Sequence, residues 1–269
     1  MKNRITPMPY LPLSIRRFKL VKLLSSLRFK NVGILRLLLA YLFLSIQGCS
    51  AQSQLISDQK ETISKEVLKY YLYLPKDYEE KNGQVPLLLF LHGGGESGGD
   101  LEELKSNGPP KMLAEGREFP FAILAPQNPY KRKWWNTTAV MQLLDTVVGA
   151  YNIDTNRIYL TGLSRGGGAA WELAVQYPDK FAAMAVVCGM TPLPYASWIN
   201  KNMPIWVFHG TEDKSIPFSE SENMVAKLKE MDYDVTFTKY EGVGHDSWIQ
   251  AYNTEELYEW FMNQKKSLD

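Results

Sequence analysis

Cysteine and histidine are scarce in this chain: two cysteines and three histidines among 269 residues. Cys49 and Cys188 lie far apart and neither sits at metal-ligand spacing, so a disulfide-built fold and a structural zinc site are both excluded. Neither a metal nor an organic cofactor is expected. No internal repeat is visible. Acidic residues are absent from residues 1–48, which hold nine Lys and Arg; the remainder carries 21 basic against 29 acidic side chains. The net charge of +1 therefore averages a basic leader and a mildly acidic body, and an acidic body argues against nucleic acid as a partner. What is present in quantity is apolar: 45% of the chain, enough to bury a full core in one domain of the larger α/β type.

The apolar run at residues 37–46 has the length of a signal-peptide core and falls short of the roughly 20 residues that span a bilayer. It is followed by Ile46-Gln47-Gly48-Cys49, which resembles a bacterial lipoprotein lipobox. That resemblance implies cleavage before Cys49, lipidation of its sulfur, and an exported chain anchored to a bacterial membrane, facing the periplasm or the cell surface. A buried helix or uncleaved anchor is the other reading of the segment. Residues 51–64 are polar and read as a tether. The resulting division is a signal segment at 1–48, a tether at 49–64 and a catalytic domain at 65–269.

Within that domain, strand and helix patterns alternate. Residues 67–74 alternate as an early strand. Residues 86–91 (Pro-Leu-Leu-Leu-Phe-Leu) and 121–126 are continuous apolar runs between turn residues, the pattern of strands buried on both faces. Residues 158–160, 182–188, 204–208 and 234–240 read as further strands. Helices are expected at 138–151, from Gly166 to about Tyr177, at 219–231 and at 254–264, with a long loop around Asn107-Gly108-Pro109-Pro110. This order predicts a single α/β domain with a mostly parallel sheet and helices on both faces.

The chemistry sits just beyond those strands. Gly162-Leu163-Ser164-Arg165-Gly166 is a G-x-S-x-G between a strand and a helix of small residues, the setting of a nucleophile elbow. Each histidine also follows a strand: His92 in His92-Gly93-Gly94-Gly95-Glu96, His209 in His209-Gly210-Thr211-Glu212-Asp213, and His245 in Gly244-His245-Asp246. In a parallel sheet the carboxyl ends of the strands share one edge, so these loops converge on Ser164.

These four loops, in this order, resemble the α/β-hydrolases over roughly residues 65–265. The closer likeness is to feruloyl esterases, polyhydroxybutyrate depolymerases and carboxylesterases, a branch also described as prolyl-oligopeptidase-like or dienelactone-hydrolase-like. The resemblance implies Ser164 as nucleophile, His245 as base and Asp213 as the orienting acid, with Glu212 and Asp246 as rival acids. It also implies an oxyanion hole from the backbone N–H groups of Gly94 and Arg165. His92 and His209 read as loop braces and Cys188 as a buried hydrophobe. Trp134, Trp135 and Trp248 are each either substrate-cleft walls or packing. The expected activity is a serine ester hydrolase acting on short acyl or aryl esters, such as feruloyl or acetyl groups on carbohydrate, which suit an exported lipoprotein with an open aromatic cleft. No insertion between residues 182 and 204 is long enough for a large lid, which disfavours an interfacial lipase. A peptidase without a propeller, or a silent binding lipoprotein of the same fold, are the alternatives. Oligomeric state is not legible.

Overall fold

The computed structural model describes residues 54–61, 65–79 and 84–266. The expected signal segment and Cys49 lie outside them. No helix among the described residues is long and apolar enough to cross a membrane.

The strands are β1 (Gln54–Glu61), β2 (Val67–Leu74), β3 (Val85–Leu91), β4 (Ala122–Pro126), β5 (Ile153–Leu163), β6 (Ala183–Val187), β7 (Ile205–Gly210) and β8 (Val235–Tyr240). They form one sheet in the order β1-β2-β4-β3-β5-β6-β7-β8. From β4 to β8 every pairing is parallel, while β2 runs antiparallel to both β1 and β4. The helices are α1 (Gly108–Ala114), α2 (Thr137–Ala150), α3 (Arg165–Gln176), α4 (Phe218–Glu230), α5 (Trp248–Tyr252) and α6 (Glu255–Met262).

Why the central runs are so uniformly apolar is plain from β3, whose seven residues are all buried. Leu87, Leu89 and Leu91 face one side and pack with Val140 of α2, Trp171 and Leu173 of α3 and Leu228 of α4. Leu88 and Phe90 face the other and pack with Met112 of α1 and Leu257 and Phe261 of α6. A strand covered by helices on both faces cannot alternate with polar residues, and each such side chain contributes roughly 1.5–3 kcal/mol on burial. The expected mostly parallel α/β sheet with helices on both faces is what forms.

Three stretches depart from the sequence expectation. Most of the supposed tether is strand β1, paired along β2 from Gln54↔Leu74 to Glu61↔Val67. Its Ser57, Asp58 and Gln59 are exposed while Ile56 packs partly on the core, so its polarity is that of an edge strand rather than of unstructured chain. The Gly108-Pro109-Pro110 stretch opens α1, because proline is tolerated in a helix's first turn, where its missing N–H has no partner to lose. The five residues of α5 follow directly on the His245 loop and were not anticipated.

Candidate active site

Ser164 sits between the last residue of β5 and the first of α3, with φ 52° and ψ −119°, a conformation that costs a non-glycine residue energy and persists only where its surroundings enforce it. The surroundings do so tightly. A Cβ on Gly162 would fall 2.3 Å from the Gly166 carbonyl oxygen, and one on Gly166 would fall 2.0 Å from that of Leu91. Both glycines are thus obligatory for the turn to close against β3. The Ser164 N–H donates to Val187 O at 2.9 Å, and Ser164 O accepts from the Gly168 N–H at 3.0 Å.

The three residues expected to act together are brought together. Ser164 Oγ lies 2.9 Å from His245 Nε2, and His245 Nδ1 lies 2.7 Å from Asp213 Oδ2. Since an ionised carboxylate only accepts, the Nδ1 carries the proton and Nε2 is left to accept from the serine hydroxyl. Asp213 Oδ1 accepts from the N–H groups of Ser215 and Ile216 at 2.8 and 2.9 Å. Burial pushes the Asp213 carboxyl up, but the bonds from His245 and from these two amides outweigh it and hold the group below the usual carboxylate range. The rival acids Glu212 and Asp246 are exposed, and neither bonds His245.

The other two histidines are braces with defined tautomers. His92 is fully buried; its Nδ1–H donates to Gly93 O at 2.6 Å and its Nε2 accepts from the Asn128 N–H at 2.9 Å. Burial pushes it down to about 4, so it stays neutral and ties the glycine loop to the end of β4. His209, also fully buried, has its Nε2 3.0 Å from Ile216 O and 3.2 Å from Asp213 Oδ2. The carbonyl demands an Nε2–H, so Nδ1 accepts from Ser221 Oγ at 2.7 Å. Burial lowers the pKa of this imidazole too.

Cys188 directly follows β6 at φ 41°, with its Sγ 3.5 Å from His245 O. The potential ligand atoms of Cys188, Asp213 and His245 lie within 4.8 Å of one another. Burial, however, pushes the thiol up to about 12, and a protonated thiol is a poor metal ligand. The buried-hydrophobe reading describes its packing well.

The tryptophans separate. Trp135 is buried in the core, its ring 4.7 Å from that of His92, and takes no part in a cleft. Trp248 is half-buried and meets the His245 ring edge-on at 5.2 Å, while its Nε1–H donates to Asn107 Oδ1 at 2.9 Å. Asn107 in turn donates to the buried Glu96 at 2.7 Å, so Trp248 links His245 to a framework that includes the glycine loop. Trp134 is 43% exposed and walls an open cavity of about 400 Å³.

One contribution was missed from the sequence. The Arg165 guanidinium donates to the carbonyls of Lys133 at 3.0 Å and Lys131 at 2.9 Å, and it lies over Gly94, where a Cβ would fall 2.6 Å from Nη2. Its side chain thus clamps the loop after β4 onto the glycine loop. No pattern in the residues around 131–133 announces a carbonyl pair, so only the folded loop reveals it.

The sequence profile of the phospholipase/carboxylesterase family matches residues 119–255, half of the chain, spanning Ser164, Asp213 and His245. The chain belongs to that family. Among curated relatives, a bifunctional acetylxylan esterase/xylanase of Neocallimastix patriciarum is 29% identical over 166 residues, covering 60% of this chain and 23% of that protein. A probable acetylxylan esterase A of Aspergillus clavatus is 25% identical over 178 residues, covering 61% of this chain and 55% of that one. The chain therefore spans about half or less of these relatives' length. Among solved structures, a thermostable esterase superposes with a TM-score of 0.69 at 31% identity, over 79% of this chain and 63% of that one. A ferulic acid esterase superposes with a TM-score of 0.62 over 78% of this chain and 98% of that one, and at 17% identity it shows the shared fold.

Proposed function

We propose that this family member is a serine carboxylic ester hydrolase acting on short acyl esters of carbohydrate, and that a lipid on Cys49 anchors it, exported, to a bacterial membrane. The observation that carries the catalytic reading is the unbroken relay from Ser164 Oγ through His245 to Asp213. Alone, a serine hydroxyl is a weak nucleophile; here His245 Nε2 takes its proton as Oγ bonds to the ester carbonyl carbon. Asp213 holds the imidazole in the reactive tautomer and stabilises the imidazolium. The negative oxygen of the tetrahedral adduct is received by backbone N–H groups of Gly94 and Arg165. Gly93 supports this, since a Cβ there would lie 3.5 Å from Ser164 Cβ, which brings the Gly93–Gly94 peptide to the nucleophile. The imidazolium then protonates the departing alcohol, leaving Ser164 acylated. Water, deprotonated by the same nitrogen, reverses the sequence and frees the acid.

The names of the acetylxylan esterase relatives favour an acetylated sugar polymer as substrate. The basic leader, short apolar run and Cys49 favour export and lipidation. Purified protein should hydrolyse p-nitrophenyl acetate, and Ser164→Ala should lower the rate by on the order of a millionfold. Retained turnover in that variant would sink the assignment. Lipid labelling of the expressed full chain should vanish in Cys49→Ala; labelling that persists would remove the anchor.

A further inference from the structure

Beside the relay, four separate parts of the chain build one groove. Its walls are Trp134 from the loop after β4 and Met190, Pro192 and Tyr195 from the segment after β6; α3 supplies Gly168 and Glu172, and α4 supplies Glu220. All of these follow the carboxyl ends of parallel strands, the same edge that carries Ser164. Gly168 is one helical turn from Ser164, about 6 Å along the helix face.

The groove is built rather than incidental. Trp134 Nε1–H donates to Glu172 Oε2 at 2.7 Å, which fixes the ring's plane, and the ring lies so close to Gly168 that a Cβ there would fall 2.7 Å from it. No side chain can intervene between the indole and the helix backbone. Although fixed, the indole stays 43% exposed, as does Met190 at 48%. Two polar groups of the lining are uncommitted. The Glu220 carboxylate has no hydrogen-bond or ion-pair partner among the described residues, and the Thr191 hydroxyl is buried with none.

An immobilised, exposed indole face supplies a flat apolar platform. A free carboxylate supplies only acceptor atoms, so it suits a partner rich in donors, as the hydroxyls of a sugar ring are, and Glu172 and Glu220 together disfavour an anionic ligand. The geometry points to a subsite for a neutral sugar ring of the alcohol part of the ester, stacked on Trp134 with hydroxyls donating to Glu220. This rests on the ester-hydrolase reading but is separable from it by experiment. A uronic acid ester fits poorly beside two carboxylates, and a long aliphatic alcohol leaves Glu220 without a donor.

Two measurements test the subsite. The first is the ratio of kcat/KM for an acetylated xylo-oligosaccharide to that for p-nitrophenyl acetate. It should fall about tenfold in Trp134→Ala, through KM, and severalfold in Glu220→Ala, with Trp134→Phe retaining most of it. An unchanged ratio in both alanine variants would overturn the subsite while leaving the esterase intact. So would a ratio that holds for the sugar ester but falls for methyl ferulate, which would place the groove on the acyl side. The second measurement needs no turnover: Ser164→Ala protein titrated with unesterified xylotriose should show a saturable change in tryptophan fluorescence whose midpoint moves severalfold to higher xylotriose when Glu220→Ala is added. Absence of binding at millimolar xylotriose would overturn the proposal even if every ester tested is inert.

Discussion

The Asp213 carboxylate is gripped by two imidazoles on a single oxygen: His209 Nε2 stands 3.2 Å from the same Oδ2 that accepts the His245 proton at 2.7 Å. With Oδ1 occupied by two backbone amides, all of the acid's acceptor sites are directed. His209 acts through Asp213, as a positioning residue. In His209→Leu the Oδ2 atom loses a donor, so Asp213 holds His245 less firmly and kcat should fall severalfold with KM little changed. Stability should drop by about 1–3 kcal/mol as the buried Ser221 hydroxyl loses its acceptor. Steady-state kinetics and a thermal melt check both; an unchanged kcat would reduce His209 to packing.

Arg165 contributes by its side chain as well as its backbone. Lysine, a point charge on a flexible stem, cannot reproduce two carbonyl bonds from one planar group. Arg165→Lys should therefore raise KM and loosen the 131–133 loop even though the backbone N–H at 165 is retained. Limited proteolysis should cut that loop faster in the variant. Equal cleavage rates would show that the clamp is dispensable.

The buried histidines give the fold a defined acid sensitivity. His92 is pushed from its ordinary 6.5 down to about 4 by burial, with His209 lowered in the same direction. Between those pH values the unfolded chain binds a proton at residue 92 that the folded chain refuses, so stability falls as pH falls from 6.5 to about 4 and levels below it. For His92 the loss is about 3 kcal/mol across that window. Asp213 adds to the fall at the lower end: its folded pKa is depressed, so its contribution is full above the ordinary carboxylate pKa and is lost as pH falls through the folded one. Denaturant unfolding at a series of pH values should show a shallower slope over this window in His92→Gln than in the parent. An identical slope would mean that the imidazole is not the group responsible.

How much of this was readable beforehand follows from which interactions are local. The doubly buried β3 announces itself, because Leu87 to Leu91 must satisfy helices on both faces at once. Ser164, Asp213 and His245 were also legible, since strand ends in a parallel sheet meet at one edge whatever the loop details. Bonds made across that edge were not: Arg165 to the carbonyls at 131 and 133, and Trp248 through Asn107 to Glu96, join residues whose types are common in any loop. Strand β1 has the composition of a tether because an edge strand exposes most of its side chains, so the pairing that holds it, backbone to backbone, leaves little trace in the sequence.

The central claim is that Ser164 is a nucleophile activated by His245. Reaction with a fluorophosphonate, followed by peptide mass analysis, tests it most directly. The account predicts one adduct per chain, on Ser164, forming orders of magnitude more slowly in His245→Ala and absent in Ser164→Ala. Stoichiometric labelling of another residue, or labelling of Ser164 at an undiminished rate without His245, would contradict it.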